Sequence, residues 1–340
     1  MTFLADSPDL RTPRSESGAL CPPGPQDVGR TVLYALDGDG EIDLGNLAEG
    51  QDIRATAQID GRTHLVRITE ARCVPESGSE HTVIMLPGLL ERVDSGPGGE
   101  LHEALAAEFP NSRLASIATD GVGPHRPPLS LREAWELGFD TMAADRLQLA
   151  EAVASGPVTL VGISLGSILA LLVALRNLNH DTPPIHIRHA VDHSHALVPP
   201  GNVPKNVLLQ FVPHMLQEML RKSQREGMTK MAAVRGLLGS VALHAPHMVS
   251  YGSNIKNVVR GTKPAKLFKV AEAIPMTFIS GEGDPLGQKE LLDYLQASYP
   301  DTVRVMWLPD VGHSSCLEAG QVAAAIAAAE RHVVARTSPT

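Results

Sequence analysis

The chain has 340 residues, of which 43% are hydrophobic and 20% charged, with a formal net charge of -9 at pH 7. That composition is enough for a sizeable core, and an acidic balance without a Lys/Arg-rich run excludes nucleic acid or an anionic membrane surface as the main partner. Cys21, Cys73 and Cys316 have no CxxC spacing, so neither a disulfide framework nor a zinc knuckle is suggested, and a reducing compartment fits best.

The N-terminus, Met-Thr-Phe-Leu-Ala-Asp, lacks the basic and apolar regions of a secretion signal. No apolar stretch approaches the roughly 20 residues that span a bilayer, so a cytoplasmic protein is expected. Residues 1–28 carry Pro13, Pro22, Pro23 and Pro25 and read as a flexible N-terminal arm. Strands are expected at Thr31 to Leu36, Ile53 to Ile59 and Arg62 to Ile68. Asp60-Gly61 between the last two is a hairpin turn signal.

Further along, short apolar runs alternate with helical segments, the pattern of parallel strands with crossover helices. The runs are Thr82 to Leu86, Leu114 to Ala118, Val158 to Val161, His186 to Val191, Met276 to Ser280 and Val303 to Leu308. Helices are expected near 101–108, 131–154, 165–177, 288–298 and 319–334. Residues 197–265 break the rhythm and read as a helical cap between the two parts of an α/β core, 29–196 and 266–340. In the cap, Leu208, Phe211, Val212, Met215, Leu216, Met219 and Leu220 fall on one helical face, and a second helix is expected from Met228 to about Leu243. A lid of that kind would cover a mostly apolar, small-to-medium substrate, with Phe211, Met215 and Met219 as candidate pocket residues.

Gly162-Ile163-Ser164-Leu165-Gly166 stands between the apolar run 158–161 and the buried-helix pattern Ser167 to Leu172. A serine at a strand-to-helix turn sits in strained backbone with its hydroxyl pushed outward. The flanking glycines have a steric reason, since a Cβ at either would crowd the turn. Context supplies most of the weight, because the bare pentapeptide arises by chance at a rate of roughly 0.1 to 0.2 per chain of this length.

In these features the chain resembles the α/β-hydrolase superfamily over about residues 30–335, with motifs in that family's order of nucleophile, acid and histidine. The resemblance implies a mostly parallel central sheet with flanking helices. It implies Ser164 as nucleophile, His313 after the run 303–308 as proton relay, and Asp284 after the run 276–280 as the acid that orients the imidazole. Asp192, at the end of the strand before the cap, is the reserve acid, and Glu282 and Asp310 lie close to the same motifs. The backbone N–H groups of Leu165 and Leu89 are the expected oxyanion donors, Leu89 lying in the Pro87-Gly88-Leu89-Leu90 loop. Thr119-Asp120-Gly121-Val122-Gly123 also resembles a family loop.

His186, His189, His193 and His195 gather around Asp192 without a familiar zinc or iron spacing and read as packed, solvent-facing or pocket-lining. The implied activity is hydrolysis of an ester or thioester, without cofactor or metal. The same scaffold also hosts acyltransfer, lyase, cyclase or perhydrolase chemistry, and non-catalytic receptors. A serine at position 164 disfavours the relatives that use Asp there, the haloalkane dehalogenases and epoxide hydrolases.

Overall fold

A computed structural model of the chain describes residues 31–36, 40–73, 80–88, 91–94, 96–118, 138–194, 217, 264–284, 289–309, 311–313 and 318–337. The strands are β1 (Leu33–Ala35), β2 (Asp52–Ile59), β3 (Arg62–Thr69), β4 (Thr82–Leu86), β5 (Arg113–Ile117), β6 (Val158–Ile163), β7 (Ile187–His193), β8 (Met276–Gly281) and β9 (Val303–Leu308). They form one sheet in the order β1-β2-β3-β5-β4-β6-β7-β8-β9. The β1, β2, β3 and β5 pairings are antiparallel, and every pairing from β5 through β4 to β9 is parallel. The helices are α1 (Gly96–Glu108), α2 (Phe139–Val153), α3 (Leu165–Leu178), α4 (Pro264–Ala273), α5 (Lys289–Ser298) and α6 (Ala319–Thr337).

Local chemistry explains the opening hairpin. Asp60 and Gly61 have φ of 48° and 73°, and Ile59 pairs with Arg62. Positive φ at both central residues is what a two-residue turn needs to match strand twist. In the parallel region successive side chains alternate between two covered faces. Ile84, Leu86, Leu160, Ala190 and Phe278 pack in one core with Leu147 of α2, Ile168 and Leu172 of α3 and Leu267 of α4. Val83, Met85, Val161, Ile163, Val191 and Ile279 pack in the other with Leu101 and Leu105 of α1 and Val322 and Ile326 of α6. Burial on both faces is why these strands are continuous apolar runs.

The elements differ from the sequence reading in informative places. Helix α1 starts at Gly96, five residues before the expected position, although Pro97-Gly98-Gly99 is poor helix sequence. A Cβ on Gly98 would lie 2.3 Å from the Arg92 carbonyl oxygen, so the chain's close return demands glycine there. Strand β7 continues past Val191 because Asp192 and His193 still pair with Gly162 and Ile163. Helix α4 was not expected, yet Leu267, Val270, Ala271 and Ile274 bury one helical face in the core. Most of the predicted cap, including Phe211, Met215 and Met219, and residues 131–137 of the helix predicted over 131–154 lie outside the described residues. Among the described residues no helix is long and apolar enough to cross a membrane.

A buried polar cluster ties α6 to the sheet near the N-terminal ends of β6 and β7. Glu330 Oε2 accepts from Thr159 Oγ1 at 2.7 Å and from His189 Nδ1 at 2.7 Å, and Arg188 pairs with Oε1. His81 Nε2 reaches Thr159 Oγ1 at 2.9 Å and His189 Nε2 reaches Thr277 Oγ1 at 3.0 Å. Burial opposes ionisation of Glu330. The His189 and Thr159 hydrogen bonds and the Arg188 charge outweigh that and hold its carboxyl at about 2, below the ordinary 4.5. A carboxyl depressed by folding adds stability above the unfolded value and loses it as pH falls through the folded one.

Glu330→Ala should therefore lower stability at pH 7 by about 3 kcal/mol, the cost of leaving a buried pair half made. In urea unfolding, the gap to the parent should close as pH falls from 4.5 towards about 2. A gap that stays constant across that window would show that the carboxylate's ionisation is not what stabilises α6.

Candidate active site

The turn that carries Ser164 is built by a close crossing of α3 over the ends of β4 and β6. Ser164, between β6 and α3, has φ 50° and ψ -111°, a conformation whose strain costs about 1–3 kcal/mol unless the surroundings enforce it. They do so by contact. A Cβ on Gly166 would lie 1.9 Å from the Leu86 carbonyl oxygen and 2.7 Å from that of Pro87, and one on Gly162 would lie 2.5 Å from Ser167 Cα. Only glycine fits at either position. The Ser164 N–H donates to the His193 carbonyl oxygen at 2.9 Å, and the Ser167 hydroxyl donates to the carbonyl oxygens of Gly162 and His193 at 3.0 and 3.1 Å. Because α3 begins at Leu165, the positive end of its dipole lies at the serine.

The structure brings Ser164, His313 and Asp284 into one hydrogen-bonded line. Ser164 Oγ is 2.8 Å from His313 Nε2, and His313 Nδ1 is 3.0 Å from both carboxylate oxygens of Asp284. With Nδ1–H donating to the carboxylate, Nε2 is left to accept the serine proton. His313 and Asp284 are buried. Their loops are fastened to each other: Gly283 N–H donates to the Val311 carbonyl oxygen at 3.3 Å and Glu282 N–H to that of Leu308 at 3.0 Å. A Cβ on Gly281 would lie 2.0 Å from the Val311 carbonyl oxygen, so this glycine lets the histidine loop cross the acid loop.

The other predicted residues are distributed differently. The described carboxylate on His313 Nδ1 is Asp284; the reserve acid Asp192 is buried within β7, in register with Gly162 and Phe278. Glu282 is exposed in its turn. His186 is exposed, and His189 belongs to the Glu330 cluster. Among the described residues no group of three or more His, Cys, Asp or Glu is placed to hold a metal ion. Leu165 opens α3, whereas Leu89, Asp310, His195 and the loop 119–123 lie outside the described residues.

Two residues gain importance that sequence reasoning did not give them. His193 is fully buried, its Nδ1 donating to the Ile279 carbonyl oxygen at 2.9 Å. Burial pushes its imidazole down to about 4, so it is neutral near pH 7, and its own carbonyl holds the nucleophile turn. Glu91 accepts the Gly88 N–H at 2.7 Å through Oε2. An acidic residue directly after Leu89-Leu90 is no local signal of that role.

Gly166→Ala should destabilise the fold by about 1–3 kcal/mol, the usual cost of overpacking. It should also reduce the fraction of chains whose Ser164 is labelled by a fluorophosphonate. Gly320→Ala in the first turn of α6, where an added Cβ meets nothing within 4 Å, is the control and should neither destabilise the fold nor reduce labelling. Equal urea midpoints for the two variants would refute the crossing as the constraint.

No family model matches the chain. A segment of 116 residues is 32% identical to a Mycolicibacterium vanbaalenii protein named as a candidate S-adenosyl-L-methionine-dependent methyltransferase; the match covers 32% of this chain and only 38% of that relative's length. Among solved structures, the enol-lactonase from Burkholderia xenovorans LB400 matches with a TM-score of 0.56 at 15% identity, over 82% of this chain and 99% of that one. A thermophilic esterase from Thermogutta terrifontis matches with a TM-score of 0.56 at 16% identity, over 83% and 99%. The thioesterase domain from the curacin biosynthetic pathway matches with a TM-score of 0.53 at 17% identity, over 81% and 99%. Likeness at these identities is a likeness of fold, and with the sheet order and helix placement it identifies the chain as having the α/β-hydrolase fold.

Proposed function

We propose that the chain hydrolyses a carboxylic ester or thioester through an acyl-enzyme on Ser164. The observation that carries this reading is the unbroken line from Ser164 Oγ through His313 to Asp284. In it, His313 Nε2 takes the serine proton as Oγ attacks the substrate carbonyl, then returns it to the leaving alcohol or thiol. Asp284 keeps the imidazole in the Nδ1–H tautomer and stabilises its charged form. A water activated by the same nitrogen then attacks the acyl-enzyme, releasing the acid and regenerating Ser164. The backbone N–H groups of Leu165 and Leu89 would receive the oxyanion, and the positive end of α3 favours that charge.

The neighbours' activities support acyl chemistry on a small substrate. An esterase, an enol-lactonase and a thioesterase domain all share this scaffold. Within the proposal, the cap contributes Phe211, Met215 and Met219 to an apolar pocket, and the protein works in the cytoplasm without cofactor or metal.

Ser164→Ala should remove at least about 10⁴-fold of the turnover of short p-nitrophenyl esters and acyl thioesters, with circular dichroism unchanged. Asp284→Asn should lower kcat by about 10³- to 10⁴-fold through the wrong imidazole tautomer, and Asp192→Asn by far less. Full turnover by the Ser164 variant would sink the reading. Labelling of Ser164 by a fluorophosphonate without any ester or thioester turnover would favour a non-hydrolytic reaction on the same serine.

A further inference from the structure

Glu91, which follows β4, is buried at 8% exposure. Its Oε2 accepts the Gly88 N–H at 2.7 Å, and its own N–H donates to the Gly88 carbonyl oxygen at 3.4 Å. Side chain and backbone of one residue thus fasten both polar groups of Gly88. A Cβ built on Gly88 would lie 3.2 Å from Glu91 Oε2 and 3.4 Å from Ser164 Cβ. The Glu91 carboxylate and the Ser164 side chain therefore both approach the place that a side chain on Gly88 would take. Taking a carboxylate out of water is costly unless it accepts strong hydrogen bonds, and a bond from a backbone N–H to a carboxylate is of the charge-assisted, short kind. An apolar residue at 91 would avoid that cost and leave the Gly88 N–H without this acceptor.

We propose that Glu91 is a positioning residue for the reaction at Ser164, its carboxylate on the Gly88 N–H and its own N–H on the Gly88 carbonyl holding Gly88, from which the expected oxyanion donor follows, in place near the serine. The inference rests on Ser164 acting as the acyl-accepting nucleophile. Leu89, the expected donor, follows the clamped Gly88 directly in the chain. An oxyanion donor is effective because it is already oriented when charge develops, and loss of one such donor typically lowers kcat by about 10²- to 10³-fold. A positioning residue acts on that orientation without touching substrate, so its removal should change kcat and leave KM nearly constant.

The test compares Glu91→Ala, Glu91→Gln and Glu91→Asp in the full-length chain on a short p-nitrophenyl ester. Turnover is counted per Ser164 labelled to completion by a fluorophosphonate, so a merely unfolded fraction drops out. Glu91→Ala should lower kcat per labelled site by about 10²-fold with KM within about threefold of the parent. Glu91→Gln keeps an oxygen acceptor at the same reach and should stay within about tenfold of the parent. An unchanged kcat per site in Glu91→Ala overturns the proposal. So does a Gln variant as impaired as the Ala variant, because charge rather than the acceptor would then be responsible. If Glu91→Ala does not fold, Glu91→Asp, shorter by one methylene, must show the loss, and parental turnover there overturns it equally. A parent that is neither labelled nor active sinks the acyl-enzyme reading and this inference with it, whereas a labelled, active parent with an indifferent Glu91→Ala sinks the inference alone.

Discussion

The first turn of α3 passes so close to the ends of β4 and β6 that the Leu86 carbonyl oxygen occupies the place of a side chain on Gly166. The placement of Ser164 follows from that approach. It forces Ser164 into positive φ and so turns the hydroxyl out of the strand-to-helix corner. It also brings Gly88, just after β4, near the serine, where a Cβ built on Gly88 would lie 3.4 Å from Ser164 Cβ. On the other side, the His193 carbonyl at the end of β7 receives both the Ser164 N–H and the Ser167 hydroxyl. One tight crossing thereby registers three neighbouring strand ends against the serine.

Strain of this kind persists only where the surroundings over-determine it. Here the supports are two apolar cores, one on each face of the sheet, together with buried polar clusters that bind outer elements to it. Glu330 anchors α6 to β6 and β7. Arg67 of β3 donates to Asp52 at 2.8 Å and to Glu103 of α1 at 3.1 Å, and His102 of α1 joins Thr69 to Ser116. Such clusters add little when complete but make displacement expensive, because Glu330, His189, Arg67 and His102 would be left buried and unmatched. They fix α1 and α6, and α6 lies next in the chain after the loop that carries His313.

Legibility followed how local each signal was. The parallel strands could be read because burial on both faces needs unbroken apolar runs such as Thr82–Leu86. The Asp60-Gly61 turn could be read because its two residues tolerate positive φ. The start of α1 could not, since Gly98 is explained only by a carbonyl oxygen 2.3 Å away. Helix α4 carried a readable stripe of Leu267, Val270 and Ala271, but it was hidden by its position next to the irregular cap. Glu91 was passed over because an acidic residue after two leucines has no local meaning. Its significance arises from Gly88 and Ser164, which meet it only in the folded chain.

By itself the sequence determined the alternation of strands and helices, the elbow around Ser164, and the order of Ser164, Asp284 and His313 along the chain. These depend on hydrophobic period, on glycines that a tight turn requires, and on residue types with fixed chemistry, all of which are local properties. Only the tertiary structure decided that Asp284, rather than Asp192, faces the imidazole. It also decided that His189 belongs to a structural cluster, and that a buried glutamate holds Gly88 near the serine. Those outcomes depend on distances between strand ends far apart in sequence, which are set by sheet order and by the crossing at Gly166, and no local pattern encodes them.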